Sequence, residues 1–160
     1  MGENKRLIKV PSDALFPIIE EHLRDGQEVV ICVRGDSMFP LMRSNKDDVK
    51  LAHATFSQIK KHDVVLIQRD SGAYILHRVC KKTPNEFYMI GDNQQEIEGP
   101  LRPNQLLAVV VEVYRGKYVI RRGSFLWGLY ARIWLILRPF RLSVLDVLLK
   151  LNAVIRHRGK

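Results

Sequence analysis

Short apolar segments separated by turn sequences constrain the fold of this chain more than any other feature. Such segments recur between residues 29 and 120, and each has the length and composition of a β-strand. They cover residues 29–33, 49–51, 64–67, 73–80, 86–90, 106–114 and 118–120. Asp70-Ser71-Gly72, between the third and fourth segments, is typical of a hairpin turn. The sequence therefore predicts a mainly β domain.

Helical patterns lie at both ends of this β region. Ser12 is suited to cap a helix over residues 13–24, whose apolar residues are spaced three or four apart. After Gly123, residues 125–137 predict a helix that ends at Arg138-Pro139, and Ser143 can cap a second one. We expect a β domain over residues 1–122 with a short N-terminal helix, followed by a basic, amphipathic helical hairpin over residues 123–160.

Charge is distributed unevenly between these two parts. The net charge is +9, but residues 1–114 carry −1 and residues 115–160 carry +10. A tail this basic indicates an anionic partner. Two interpretations of the tail stay open: a hairpin packed on the β domain or on a second copy, or an amphipathic anchor on an anionic membrane surface. Its high apolar content and its two tryptophans favour lipid over nucleic acid.

Several classes of protein are disfavoured by what the sequence lacks. Cys32 and Cys80 lie in apolar segments, without CxxC pairs or His/Cys clusters at metal-ligand spacing. This pattern predicts two reduced cysteines in a reducing compartment, with no metal and no cofactor. Neither a signal-peptide pattern nor an apolar run of transmembrane length is present. We therefore expect a cytoplasmic protein, which would be peripheral at the membrane if the tail is an anchor.

Ser37 is the strongest candidate for a reactive side chain. The predicted strand 29–33 leads to Gly35, which permits a sharp turn two residues before Ser37, and Pro40 stiffens the exit. Such a turn holds a serine hydroxyl in place at the end of a strand. Gly-Asp-Ser is also ordinary surface-turn chemistry, so this segment alone leaves both interpretations open.

His77 lies in a predicted strand among apolar residues. Alternation along the predicted strand 73–80 places His77 on one face with Ile75 and Val79, and Leu76 and Arg78 on the other. A lone histidine on an apolar face is more often a core residue than a catalytic one. Its significance depends on the motifs around it.

Four motifs in a fixed order carry a family resemblance. They are Gly35-Asp36-Ser37-Met38-Phe39-Pro40-Leu41, Lys61-His62-Asp63-Val64-Val65, Leu76-His77-Arg78-Val79, and Gly91-Asp92-Asn93 followed by Glu98. Together they resemble the signal peptidase I and LexA-like superfamily of serine peptidases, over about residues 29–113. Because His77 stands where many members have lysine, the chain looks most like the Ser-His branch of endoplasmic-reticulum and SipW-like signal peptidases.

The resemblance implies a LexA/signal-peptidase-like β-fold and a serine endopeptidase that cleaves a peptide leader or a precursor protein. It implies Ser37 as nucleophile and His77 as base. Glu98, where the branch has Asp, or failing that Asp92, would orient the imidazole. Gly35, Asp63 and Asp92 are expected to support the site, while the substrate-binding residues are not predicted.

Two other functions stay open beside the peptidase. The chain could bind peptides without cleaving them on the same fold, or act as a membrane-surface adaptor through its tail. It also departs from its apparent relatives. We expect neither the N-terminal transmembrane segment of signal peptidases nor the DNA-binding domain of LexA-type repressors, for which the first thirty residues are too few.

Overall fold

An antiparallel β-sheet is the main element of the computed structural model, which describes residues 12–140 and Ser143. The strands are β1 (Val29–Cys32), β2 (Asp48–His53), β3 (Val64–Gln68), β4 (Tyr74–Lys82), β5 (Phe87–Ile90), β6 (Glu98–Leu101), β7 (Leu106–Arg115) and β8 (Tyr118–Arg121). Helix α1 (Ser12–Arg24) precedes the sheet and helix α2 (Phe125–Ile136) follows it. The mainly β architecture with an N-terminal helix is therefore confirmed.

The sheet is built around β7, its longest strand. The strand order is β1-β2-β7-β3-β4-β5-β6, and β8 also pairs with β7. One edge of β7 pairs with β2, and the other pairs first with β3 and then with β8. The β-branched residues Val109, Val110 and Val113 are buried along it, as expected of a central strand.

Two hydrophobic cores lie on opposite faces of the central strands. In β3, Val64 and Leu66 belong to the core beneath α1, whereas Val65 and Ile67 belong to the other core. Successive side chains of a strand point to opposite faces, so β3 is buried on both. This explains why residues 64–67 are apolar without alternation.

Helix α1 packs its apolar stripe on the first core. Ile19 and Leu23, four residues apart, are buried there. Pro17 lies inside the helix without ending it. The helix ends at Arg24, two residues before Gly26, whose φ of +77° is disfavoured for residues with a side chain.

Helix α2 is capped by Ser124, whose hydroxyl accepts a hydrogen bond of 3.3 Å from the backbone N–H of Trp127. Trp127, Ala131 and Trp134 are buried. No helix among the described residues is long and apolar enough to cross a membrane. The predicted second helix of the hairpin lies outside the described residues, apart from Ser143 at its start.

Strand β6 was not anticipated from the sequence, which marks residues 94–100 only as a polar segment. Its sequence, Glu-Gly-Pro-Leu, has little β propensity. Pairing with β5 supplies the structure, and the position at the edge of the sheet tolerates Pro100, which lacks an N–H to donate. This strand carries Glu98.

Candidate active site

Ser37 lies in a tight turn that follows β1. Gly35 has a φ of +80°, and its N–H donates a hydrogen bond of 3.1 Å to the Ser44 hydroxyl. Met38, next to Ser37, is buried in the first core. The turn is thus anchored by a buried side chain on one side and by a left-handed glycine on the other.

The Gly91-Asp92-Asn93 turn packs directly against Ser37. The N–H of Asn93 donates a hydrogen bond of 2.7 Å to the Ser37 carbonyl. A Cβ atom at position 91 would lie 2.7 Å from that same carbonyl oxygen, so the approach requires glycine. Two of the four sequence motifs are therefore in contact through their backbones.

His77 faces the same cavity as Ser37. It lies on β4 opposite Val65 of β3, and only 5% of its surface is exposed. The cavity has a volume of about 590 Å³ and is lined by Ser37, His77 and residues of α1, β1 and β4. Among the described contacts no hydrogen bond links Ser37 Oγ to the imidazole ring.

Glu98 lies beside the ring of His77. Its Oε2 lies 3.7 Å from His77 Nδ1, beyond hydrogen-bond distance, and Nδ1 has no hydrogen-bond partner among the described residues. Burial lowers the pKa of His77 below its ordinary value. The Glu98 carboxylate opposes that shift, and the Arg69 guanidinium adds to it. The imidazole is therefore neutral at pH 7 and free to accept a proton.

Arg69 holds Glu98 and was missed by reasoning from sequence. Its guanidinium binds the carboxylate through Nη2–Oε2, at 2.8 Å, and through Nε–Oε1. Arg69 also lines the cavity. It follows β3 directly, and its backbone N–H donates a hydrogen bond to the Ala73 carbonyl across the hairpin, but no motif in the sequence marks it.

Asp92, the alternative partner of His77, is engaged elsewhere. Its carboxylate forms a buried bidentate ion pair with Arg78, at 2.8 and 2.7 Å, and accepts a hydrogen bond of 3.2 Å from the Tyr130 hydroxyl. Both members of the ion pair are fully buried. Glu98 is thus the carboxylate that faces His77, while Asp92 joins β4 and the Ser37 turn to α2.

Asp63 lies outside the cavity, at the start of β3. Its carboxylate binds Arg122 at 2.8 and 2.7 Å and accepts a hydrogen bond of 2.7 Å from the Lys60 N–H. Its carbonyl accepts from Val79 of β4. Asp63 therefore fixes the strand pair that carries His77 without approaching the ring.

No protein-family model matches the sequence, and no curated protein matches it.

Proposed function

We propose that this chain is a serine endopeptidase with Ser37 as nucleophile, His77 as general base and Glu98 as the group that orients the imidazole. One observation carries the proposal: Ser37 and His77 line one cavity, and the Glu98 carboxylate lies 3.7 Å from Nδ1 of the histidine ring. A hydroxyl, an imidazole and a carboxylate in this order form the arrangement that activates a serine.

In this mechanism His77 removes the Ser37 proton as Oγ attacks the scissile carbonyl carbon. The tetrahedral intermediate places its oxyanion near the backbone N–H of Ser37. His77 then gives the proton to the leaving amine, and an acyl-enzyme on Ser37 remains. Water, deprotonated by His77, hydrolyses that ester and restores the hydroxyl. Glu98 stabilises the imidazolium that forms in each half of the reaction.

The looser contacts of the resting site are compatible with this chemistry. Catalytic hydrogen bonds are often long without substrate and shorten in the reactive complex. Glu98 needs to approach Nδ1 by less than ~1 Å to reach hydrogen-bond distance. Arg69 fixes both carboxylate oxygens, so this approach involves the pair rather than Glu98 alone.

The finer fold assignment is part of the same proposal. The four motifs that resemble the signal peptidase I and LexA-like superfamily all contribute to one region. The motifs that contain Ser37 and Gly91-Asp92-Asn93 meet through the Ser37 carbonyl, and a third supplies His77. The fourth contains Asp63, which stabilises β3, the strand paired with that of His77. This convergence supports a variant of that superfamily's fold. The implied substrate is a peptide leader or precursor protein.

Substitution at the two reacting residues tests the activity. Ser37→Ala and His77→Ala should each lower the rate of peptide cleavage by on the order of 10³-fold or more. Ser71→Ala and His53→Ala, at exposed positions outside the cavity, are the matched controls and should leave the rate unchanged. Equal rates for His77→Ala and wild type would refute the catalytic pair.

A membrane-surface role is the second candidate, and the outer side of α2 favours it. Phe125 and Ile136 are 79% and 75% exposed, and the other large exposed apolar residues of this helix are Leu126, Leu129 and Ile133. Residues 115–160 contain 11 basic residues and one acid. An apolar face on a basic segment suits an anionic lipid surface. Both tryptophans face the sheet, so the lipid contact would depend on these other residues.

A further inference from the structure

We propose that helix α1 forms a wall of the substrate groove and selects a peptide with a large apolar side chain at the position that the α1 wall contacts. This inference rests on the proposed peptidase function and adds the substrate class. The observation behind it is that the cavity lined by Ser37 and His77 extends as far as helix α1.

The cavity is large enough to enclose a substrate side chain. Its volume of about 590 Å³ falls within the range of pockets that bury small ligands, roughly 300–1,000 Å³. Helix α1 contributes Leu15, Phe16 and Ile19 to its lining. Strand β1 faces them with a run of aliphatic residues, and Leu66 and Leu76 lie beside it. The surface available to a substrate is therefore mostly hydrocarbon.

The wall is rigid because α1 is fixed to β4. The rings of Phe16 and Tyr74 are stacked, with centroids 4.0 Å apart and planes inclined by 10°. The Tyr74 hydroxyl donates a hydrogen bond of 2.9 Å to Glu20 of the same helix and accepts one of 2.9 Å from Gln68. Ile19 is buried beneath. Because the Tyr74 ring is stacked on Phe16 and its hydroxyl is fixed by two hydrogen bonds, this pair gives the pocket a fixed size.

The charges of the lining define which side chains the pocket rejects. Among the described residues that line this cavity, Arg34 and Arg69 are the ionised side chains, and none is acidic. A substrate lysine would lose its hydration there without gaining a carboxylate partner. An aliphatic or aromatic side chain would instead bury its whole surface. Leucine, methionine or phenylalanine should therefore be preferred over lysine.

The test measures binding and cleavage separately, with an alanine-based peptide library that varies one position at a time. Binding is measured with full-length Ser37→Ala protein, so that peptides survive. We expect the leucine peptide to bind at least about tenfold tighter than the lysine peptide at one position. Phe16→Ala should remove about tenfold of this preference. Ile18→Ala, on the exposed side of the same helix and outside the cavity, should keep it.

A second variant, Phe16→Trp, distinguishes a change in side-chain preference from a folding defect in Phe16→Ala. Phe16→Trp retains an aromatic partner for Tyr74 and narrows the cavity, so it should shift the preference from leucine towards alanine. Equal binding of leucine and lysine peptides, or equal effects at positions 16 and 18, would overturn the proposal. Cleavage by the wild-type protein is scored independently: selective binding without cleavage would refute the peptidase and leave the groove standing.

Discussion

The indole N–H of Trp134 donates a hydrogen bond of 2.7 Å to the backbone carbonyl of Asp92. The next residue, Asn93, donates its own N–H to the carbonyl of Ser37, also at 2.7 Å. Helix α2 therefore reaches the candidate nucleophile through two hydrogen bonds and one peptide unit. The C-terminal segment that looks like an appended tail in the sequence helps to position the Ser37 turn.

Trp134→Phe tests this connection. The substitution keeps an aromatic ring and removes the donor, so it should lower the free energy of unfolding by about 1 kcal/mol and slow peptide cleavage. Trp127→Phe is the matched control, because the buried Nε1 of Trp127 has no hydrogen-bond partner among the described residues. Denaturant unfolding and cleavage rates measure both effects. A larger loss of activity at Trp127 than at Trp134 would contradict this connection.

Gly91→Ala tests the contact between the two turns. The added methyl group would meet the Ser37 carbonyl oxygen at 2.7 Å, and backbone cannot yield as a flexible side chain does. We expect a reduced rate of cleavage, because the Ser37 turn must move. Gly128→Ala, in α2, meets nothing within 4 Å and should be neutral or stabilising by up to ~1 kcal/mol. If both alanines leave the cleavage rate intact, the contact does not position Ser37.

The pH dependence of cleavage should move in opposite directions for Glu98→Gln and Arg69→Gln. The Glu98 carboxylate raises the pKa of His77 and the Arg69 guanidinium lowers it. Loss of Glu98 should therefore shift the acid limb of kcat/KM to lower pH, and loss of Arg69 should shift it to higher pH. In the wild type, where burial lowers the pKa, the limb should lie below about pH 6.5.

The kcat values of Glu98→Gln and Arg69→Gln distinguish loss of the group that orients His77 from loss of a neighbouring charge. Glu98→Gln should lower kcat by on the order of 10²-fold or more, because the amide cannot stabilise the imidazolium. Arg69→Gln should cost less, since Glu98 keeps its charge. Shifts of the acid limb in the same direction for both variants would contradict the opposite effects of the two groups on the pKa of His77.

Vesicle binding tests the membrane-surface candidate. The protein should bind vesicles rich in phosphatidylglycerol more tightly than purely zwitterionic vesicles, and added salt should weaken that binding. The double variant Phe125→Ser/Ile136→Ser should reduce it, whereas Ile18→Ser, at an exposed apolar position on α1, should not. If the double variant instead changes the molecular mass in solution, the outer face of α2 is covered by a second copy of the chain.

Local sequence predicts the central strands well. Strands β3 and β4 follow from apolar runs around Asp70-Ser71-Gly72, and α1 follows from its apolar spacing and the glycine that ends it. The sequence does not predict strand β6, because its residues have little β propensity and its structure depends on pairing with β5. Such long-range pairing leaves no trace in the strand's own composition.

The sequence predicts only part of the candidate active site, for a similar reason. Ser37, His77 and Glu98 stand in motifs, but the partners that hold them are distant in sequence. From the sequence alone, Arg78 is a polar residue on a predicted strand. Its burial in the structure depends on Asp92 and on the rings of Trp127 and Tyr130. A charge of this kind can be buried only where a partner neutralises it.

The most direct measurement of the central claim is the mass of the protein during cleavage of a peptide. A reaction stopped with acid after a short time should contain protein enlarged by the N-terminal fragment of the peptide, with the added mass on Ser37. Ser37→Ala should show neither the adduct nor the cleavage. Cleavage that continues in Ser37→Ala, or an adduct on another residue of the wild type, would contradict the assignment of Ser37 as the nucleophile.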